Sequence, residues 1–383
     1  MFIAVLIIML LMLGLLTYYI ARKLHGGLKA ILPKAPLWTV LAPLSLLTVC
    51  TLLGFMRLSF LPTAVKDILE IISAYWMGAF LYLLLFCILS DIIIFVLKLF
   101  RLSFVKKALF KGITVVIVLA LTLSTVIYGI NNAKEIDHLT YEIKLENFAT
   151  VHNMNVVMLS DLHLGSVGSE ERLENIVNEI NSLKPDLVLI AGDFFDTTYT
   201  AIKNPQKAIK TIGRISSTYG TYACLGNHDA GETFSQMQNF LKQSNVNLLE
   251  DSYTVIDNRL ILVGRLDARS IGGYGDLKRK EFSQIGIKND KDLPVIVMDH
   301  NPQNIGEYTS DVDLVVCGHT HKGQLFPINL ITNSIYEVDH GYYRKDSKSP
   351  QVIVTSGVGY WGLPMRVGTD SEIVSIKFIS ANV

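Results

Sequence analysis

Acidic residues are scarce in the first third of this 383-residue chain. Residues 1–134 hold 3 Asp/Glu against 12 Lys/Arg, a net +9. Residues 135–383 hold 31 acidic against 22 basic residues, a net −9, so the overall zero is a cancellation. Cysteine is also rare, at 4 residues, which excludes a disulfide-stapled scaffold. Charged residues make up 18% and hydrophobic ones 50%, which excludes a disordered chain. There is no internal repeat and no low-complexity tract. An apolar, basic first part before an acidic second part excludes an ordinary one-domain soluble protein. It points to a membrane contact on the basic side.

Four apolar runs occupy residues 1–20, 37–56, 71–97 and 112–130. Each is long enough to cross a hydrocarbon layer of roughly 30 Å as a helix. No charged segment precedes the first run and no small-residue cleavage site follows it, so it reads as a retained helix rather than a leader. Asp91 is the only acid within the runs and lies near Lys98, which suggests an interfacial residue at a helix end. The resulting division is a transmembrane region over 1–133 and a globular domain over 134–383.

From Asp137 the pattern changes. Leu139, Tyr141, Ile143 and Leu145 alternate with polar residues, as in a half-buried strand. Short apolar runs follow, with amphipathic stretches between several of them. One such stretch, Glu170–Leu183, follows Ser169 as a plausible N-cap. Strands alternating with helices imply α/β layering. Cys224 and Cys317 sit within apolar runs and read as inert core thiols.

Five strand ends carry polar residues: Ser160-Asp161-Leu162-His163, Gly192-Asp193-Phe194-Phe195-Asp196, Gly226-Asn227-His228-Asp229, Asp299-His300-Asn301-Pro302 and Gly318-His319-Thr320-His321. Ligands of open α/β sheets bind beyond the carboxyl ends of strands, so these turns can converge on one crevice. The set is carboxylates, imidazoles and an amide oxygen without thiolate, which suits Mn, Fe or Zn. It is too large for one tetrahedral ion and suits two ions about 3.5–4 Å apart sharing a carboxylate. Asp-x-His is expected to be extended, with both side chains on one side. A single such motif is weak, since each could be a turn or a core histidine. Five of the 9 histidines in ordered succession beside Asp and Asn are not. His25, His138, His152 and His340 read as ordinary structural residues.

In this order, DxH, GDxxD, GNHD, a single His and GHTH resemble the calcineurin-like metallophosphoesterase superfamily, over about residues 140–375. The four apolar runs and Ser356-Gly357-Val358-Gly359-Tyr360-Trp361-Gly362-Leu363-Pro364 are similar to its bacterial transmembrane branch. The resemblance implies a four-layer αββα sandwich after the four-helix region. It implies that Asp161, His163, Asp193 and His321 hold one divalent metal. Asp193 would bridge to a second, completed by Asn227, His300 and His319. His228 would protonate the leaving oxygen, oriented by Asp229, and Asp196 would support the ligands from behind. Lys322 stands where relatives usually have Gly, and Arg265-Leu266-Asp267 where they often have an Asp pair. Arg366 reads equally well as a phosphate clamp or a surface charge.

The expected activity is hydrolysis of a phosphodiester or pyrophosphate in an envelope or lipid-linked substrate. A cytoplasm-facing pyrophosphate hydrolase of the UDP-diacylglucosamine type is a second reading, and a non-catalytic membrane sensor a third. The acidic second part argues against nucleic acid. The partners expected are a phosphoester and the lipid bilayer.

Orientation follows from charge. Arg22, Lys23, Lys29 and Lys34 lie between runs one and two, and Lys98, Arg101, Lys106, Lys107 and Lys111 between runs three and four, without acids. Between runs two and three, Arg57 and Lys66 are offset by Asp67 and Glu70. The positive-inside rule then puts the first and third connections in the cytoplasm, and both termini and the globular domain outside. A reporter fused to the C-terminus should be active only if it works outside the cytoplasm. Activity confined to the cytosol would reverse the orientation.

Overall fold

The computed structural model describes residues 2–56, 58, 60–289 and 291–381. The chain divides into two compact units, residues 1–130 and 131–383.

The first unit contains four helices, α1 (Phe2–Leu28), α2 (Trp38–Met56), α3 (Thr63–Leu99) and α4 (Ala108–Asn132). All four are long and apolar enough to cross a membrane, and the chain is a membrane protein. Many of their apolar side chains face outward, as a lipid solvent allows, while a cluster around Ile20, Leu44, Leu83 and Val118 is buried. The helices run beyond the apolar runs, so Arg22 and Lys23 lie within α1 rather than after it. Arg57, which enters the charge count above, lies outside the described residues. Asp91 is more than an interfacial residue. Tyr19 Oη donates to its Oδ2 at 2.6 Å and the Lys23 ammonium pairs with its Oδ1, so it ties α3 to α1. At the α2–α3 contact a Cβ on Gly54 would overlap the Leu69 carbonyl and the Ser73 side chain. Such close approach is how helices associate where lipid removes the hydrophobic drive.

The second unit begins with β1 (Ile136–Leu145) and β2 (Asn155–Leu159). Then follow α5 (Ser169–Ser182), β3 (Leu187–Ala191), α6 (Pro205–Ile212), β4 (Thr221–Cys224), α7 (Phe234–Gln243) and β5 (Val246–Leu248). The second half comprises β6 (Ser252–Ile256), β7 (Leu260–Gly264), β8 (Val295–Met298), β9 (Leu314–Cys317), α8 (Ile328–Ile335), β10 (Gly341–Tyr343), β11 (Gln351–Val354) and β12 (Ser371–Ser380). One sheet has the order β1-β12-β2-β3-β4-β5, the other β10-β11-β9-β8-β7-β6.

Strand periodicity builds the layers. Val156, Met158, Leu187 and Leu189 of the first sheet meet Leu260, Leu262, Ile296, Met298, Leu314 and Val316 of the second in one central core. The residues between them point the other way, as a period of two demands. Val157, Leu159, Val188 and Ile190 pack under α5, α6 and α7. Ile261, Val263, Val295, Val297 and Val315 pack under a thinner cover that includes Ile305 and Tyr308 from a short 3-10 helix. The result is the four-layer α/β sandwich. Cys224 faces the central core and Cys317 the outer layer of the second sheet, and both thiols are free and buried. The α5 helix starts one residue earlier than expected. Gly168 takes the cap position, and the Ser169 hydroxyl turns back to Ser166 O at 2.8 Å.

The strands that carry the five polar turns are parallel within each sheet: β2, β3 and β4 in one, β8 and β9 in the other. Their carboxyl ends therefore open on one side of the sandwich, the geometry that makes a crevice.

Replacing Gly54 by Leu should destabilise the first unit by about 1–3 kcal/mol through overpacking. The check is a lower unfolding midpoint of the full chain in lipid nanodiscs, and an unchanged midpoint would refute the close contact.

Candidate metal centre

The turn after β2 does not continue the strand. Asp161 and His163 have φ of 56° and 46°, in the left-handed region, so the expected extended Asp-x-His segment is absent. Asp193, His319 and His321 have φ of 51°, 72° and 49°. Each such residue costs on the order of 1–3 kcal/mol, and surroundings must hold it there. The holding contacts are backbone amides. Asp161 N donates to Gly192 O at 3.0 Å, and His163 N to Asp193 O at 3.1 Å. His319 N donates to both Asp161 oxygens at 3.2 and 3.1 Å, and the Ser160 hydroxyl to Oδ2. The turn glycines are needed for approach: a Cβ on Gly226 would overlap the Asp193 carboxylate, and one on Gly318 the Ser160 and Asp161 side chains.

These turns bring the expected residues together in two groups. Asp161, His163 and His321 form one, and Asp193, His300 and His319 the other, each with donor atoms within 4.8 Å of one another. In the first, His163 Nε2 and His321 Nε2 lie 3.1 Å apart, with Asp161 Oδ1 3.8 and 3.4 Å from them. In the second, His319 Nδ1 lies 3.2 Å from His300 Nε2 and 2.9 Å from Asn227 Oδ1. Asp193 Oδ2 reaches both groups, at 3.1 Å from His300 Nε2 and 3.8 Å from His163 Nε2. His228 N donates to Asp193 Oδ1 at 2.9 Å, which sets the carboxylate's direction. His300 Nδ1 lies 2.8 Å from the Ala191 carbonyl, which fixes that tautomer and leaves Nε2 as the inward donor atom.

Burial shapes the electrostatics. It pushes the Asp161 carboxyl up to about 6, against the pull of His300. It would raise Asp193 as well, but the charge and hydrogen bond of His300 outweigh it and hold Asp193 well below the usual carboxylate range. The same contact raises His300 well above its ordinary value despite burial. Burial drives His163 and His319 down to about 3 and His321 well below its ordinary value. Burial thus favours neutral imidazoles at His163, His319 and His321, while Asp193 works against burial at His300. The His321 and His228 Nδ1 atoms are buried with no hydrogen-bond partner among the described residues. Neutral nitrogens and carboxylate oxygens converging at these distances are what divalent cations bind, so the donor set fits two of them.

Two residues occupy places other than those expected. Asp229 is buried, but its oxygens accept Phe195 N and Gly226 N, both at 2.8 Å. It therefore fixes the Gly226–Asp229 turn rather than the His228 ring, and burial beside Asp193 raises it to about 7. Arg366 is neither a phosphate clamp nor a surface charge. It is fully buried, with Nη2 donating to the carbonyls of Ser356, Gly357 and Gly359 at 2.7, 3.0 and 2.6 Å and Nη1 to Thr369 Oγ1 at 3.0 Å. Asp196 stands behind the first group, Oδ1 3.6 Å from His163 Nδ1. The His228 ring lies 5.2 Å from the His163 ring and 6.4 Å from that of Trp361.

Some of the site was not anticipated. The loop held by Arg366 sits under Asp161, with Val358 N and Gly359 N donating to Ser160 O and Asp161 O at 3.0 Å. Asp267, beside the Arg265 position, is buried, and its Oδ1 accepts Arg269 N at 2.6 Å. Arg265 itself is buried against Asp251 at 3.2 Å.

The sequence profile of the calcineurin-like phosphoesterase family matches residues 154–323. A Helicobacter pylori protein named as an uncharacterized metallophosphoesterase is 31% identical over 235 residues, 60% of this chain and 60% of that one. An Aquifex aeolicus protein of the same name is 30% identical over 240 residues, 62% of this chain and 89% of its own. A UDP-2,3-diacylglucosamine pyrophosphatase of Chlamydia trachomatis is 26% identical over 270 residues, 56% of this chain and 81% of its own.

Replacing Arg366 by Met should leave several buried carbonyls unpaired and cost on the order of 3 kcal/mol. Thermal unfolding of the purified chain checks this, and a midpoint equal to wild type would show that the loop does not depend on the guanidinium.

Proposed function

Because the chain belongs to the calcineurin-like phosphoesterase family, we propose that it is a membrane-anchored, metal-dependent hydrolase of a phosphodiester or pyrophosphate bond in a lipid-linked or envelope substrate. The observation that carries the reading is the pair of donor groups that Asp193 reaches from between. In this reading Asp161, His163 and His321 hold one divalent ion, His300, His319 and Asn227 a second, and Asp193 both. Mn, Fe and Zn all suit the donors. Bound ions would neutralise phosphate oxygens and lower the pKa of a water towards about 7.

The chain's own residues do the rest. The backbone contacts of Asp161 and Asp193 pre-orient the carboxylates, so little reorganisation accompanies reaction. Asp229 holds the turn that presents Asn227 and His228. In this reading His228, whose ring lies 5.2 Å from that of His163 and whose amide donates to Asp193, gives a proton to the leaving oxygen. Lys322, one residue past His321, adds a positive charge that favours a phosphate substrate.

The charge bias of the first unit favours a domain outside the cytoplasm. The Chlamydia relative's name supports the second reading, a cytoplasm-facing hydrolase of a nucleotide-linked lipid, which needs the opposite topology. A non-catalytic sensor is the weaker alternative, because the seven donor residues are all present.

His228→Ala should cut kcat on bis-p-nitrophenyl phosphate by about 10²- to 10⁴-fold while metal content is kept. Asp193→Ala should lose both activity and bound metal, read by elemental analysis of the full chain in detergent. Unchanged turnover in either variant would sink the assignment. Chelation should lower the unfolding midpoint, with recovery on adding Mn²⁺.

A further inference from the structure

The segment from Gly323 to Tyr336 contains no charged residue. It includes α8, which has no buried residue at all. Leu330, Ile331 and Ile335 are 62%, 56% and 59% exposed, and Phe326 just before the helix is exposed too. Trp361, 46% exposed, extends the same apolar character on the neighbouring loop. Large apolar side chains turned outward on one helix mark a contact surface rather than a core element.

This helix is not loosely attached. A Cβ on Gly323 would overlap Asn329 N and Cα, so α8 starts hard against the His321 turn. Gln324 Nε2 donates to the carbonyls of Trp361 and Leu363 at 3.0 and 3.1 Å, and Trp361 N to Gln324 Oε1 at 2.9 Å. Phe326 N donates to Val367 O at 2.7 Å. At the other end Thr332 Oγ1 donates to Asp339 Oδ2 at 2.8 Å, and Thr320 Oγ1 to Asp339 O at 2.6 Å. The Tyr336 ring lies 6.1 Å from that of His319. Both ends of the helix are thus fastened to the turn that carries His319 and His321, and its apolar side chains are held out beside the metal centre.

Charge indicates the occupant. Lys322 precedes the segment, and the exposed Arg269 acts electrostatically on both His319 and Tyr336. Exposed Leu, Ile, Phe and Trp side chains with the cationic Lys322 and Arg269 near the same turn match the boundary between acyl chains and anionic headgroups. The chain itself carries four helices fit to cross a bilayer, so a lipid surface is always within its reach.

We infer that α8 and Trp361 form an interfacial ridge that enters the headgroup–acyl boundary of a phospholipid surface and presents a lipid phosphate to the metal centre. The part concerning substrate rests on the proposed hydrolase function; the part concerning lipid contact does not.

The test uses the full chain in vesicles of phosphatidylethanolamine and phosphatidylglycerol. An environment-sensitive fluorophore is attached at Ile331→Cys and, as a control, at Lys207→Cys on α6. The label at 331 should be quenched by shallow doxyl-lipids and shielded from iodide, and the label at 207 the reverse. Iodide quenching at 331 without lipid quenching overturns the inference, whatever the enzyme hydrolyses. A variant with Leu330, Ile331 and Ile335 all changed to Ser should keep kcat on bis-p-nitrophenyl phosphate within about twofold. Its KM for a phosphodiester lipid in the vesicles should rise about tenfold or more, a change of at least roughly 1.4 kcal/mol. An equal loss on both substrates, or none on the lipid, overturns substrate delivery. Absence of hydrolysis by wild type on either substrate would instead count against the hydrolase reading, with the quenching result standing.

Discussion

A carboxylate removed from water needs counter-charge, and Asp193 shows how much structure follows from that need. It is buried at the seam between two sheets. One oxygen takes the His228 amide and the other faces imidazoles from both sheets. This contact raises the nearest imidazole, His300, against the effect of burial, while burial lowers the other three. Such a cluster is poorly satisfied by protein alone. Divalent cations would resolve it at once, which is why the electrostatics and the chemistry point to the same occupant.

The sandwich exists to hold that cluster in register. Parallel strands end together, so turns far apart in sequence arrive at one edge. The strands supply position, but the turns supply direction, and they do so by left-handed backbone at Asp161, His163, Asp193, His319 and His321. Amide hydrogen bonds from opposite sheets fasten these conformations. The His319 amide on Asp161 is the clearest, since it links β9 of one sheet to β2 of the other. A loop braced by the buried Arg366 closes the arrangement from below.

Much of this was readable from residue order. The alternation of Leu139, Tyr141, Ile143 and Leu145 and the short apolar runs Val156–Leu159 and Leu187–Ala191 mark strands, and their facing cores follow from a period of two. The motif residues announced the donor set, because so many His, Asp and Asn at strand ends have no structural use. What residue order did not carry was side-chain destination. Asp229 adjoins His228 in sequence, yet its oxygens were taken by the amides of Phe195 and Gly226, contacts that depend on the distance between two turns. Arg366 looked like a surface or substrate-facing cation, because nothing local reveals that three loop carbonyls converge on it. Asp91 similarly found Tyr19 and Lys23 some seventy residues earlier. The exposed face of α8 carries no motif, so residue order does not single it out.

The globular unit holds two thiols, both buried and free. Cys224 and Cys317 point into different layers, and burial pushes both thiols well above their ordinary pKa. Buried and held protonated, neither is an available thiolate. Among the described residues no disulfide contributes to the stability of the unit. Two buried, free thiols ask nothing of the redox state on either face of a membrane, so the cysteines place no demand on which side the unit works.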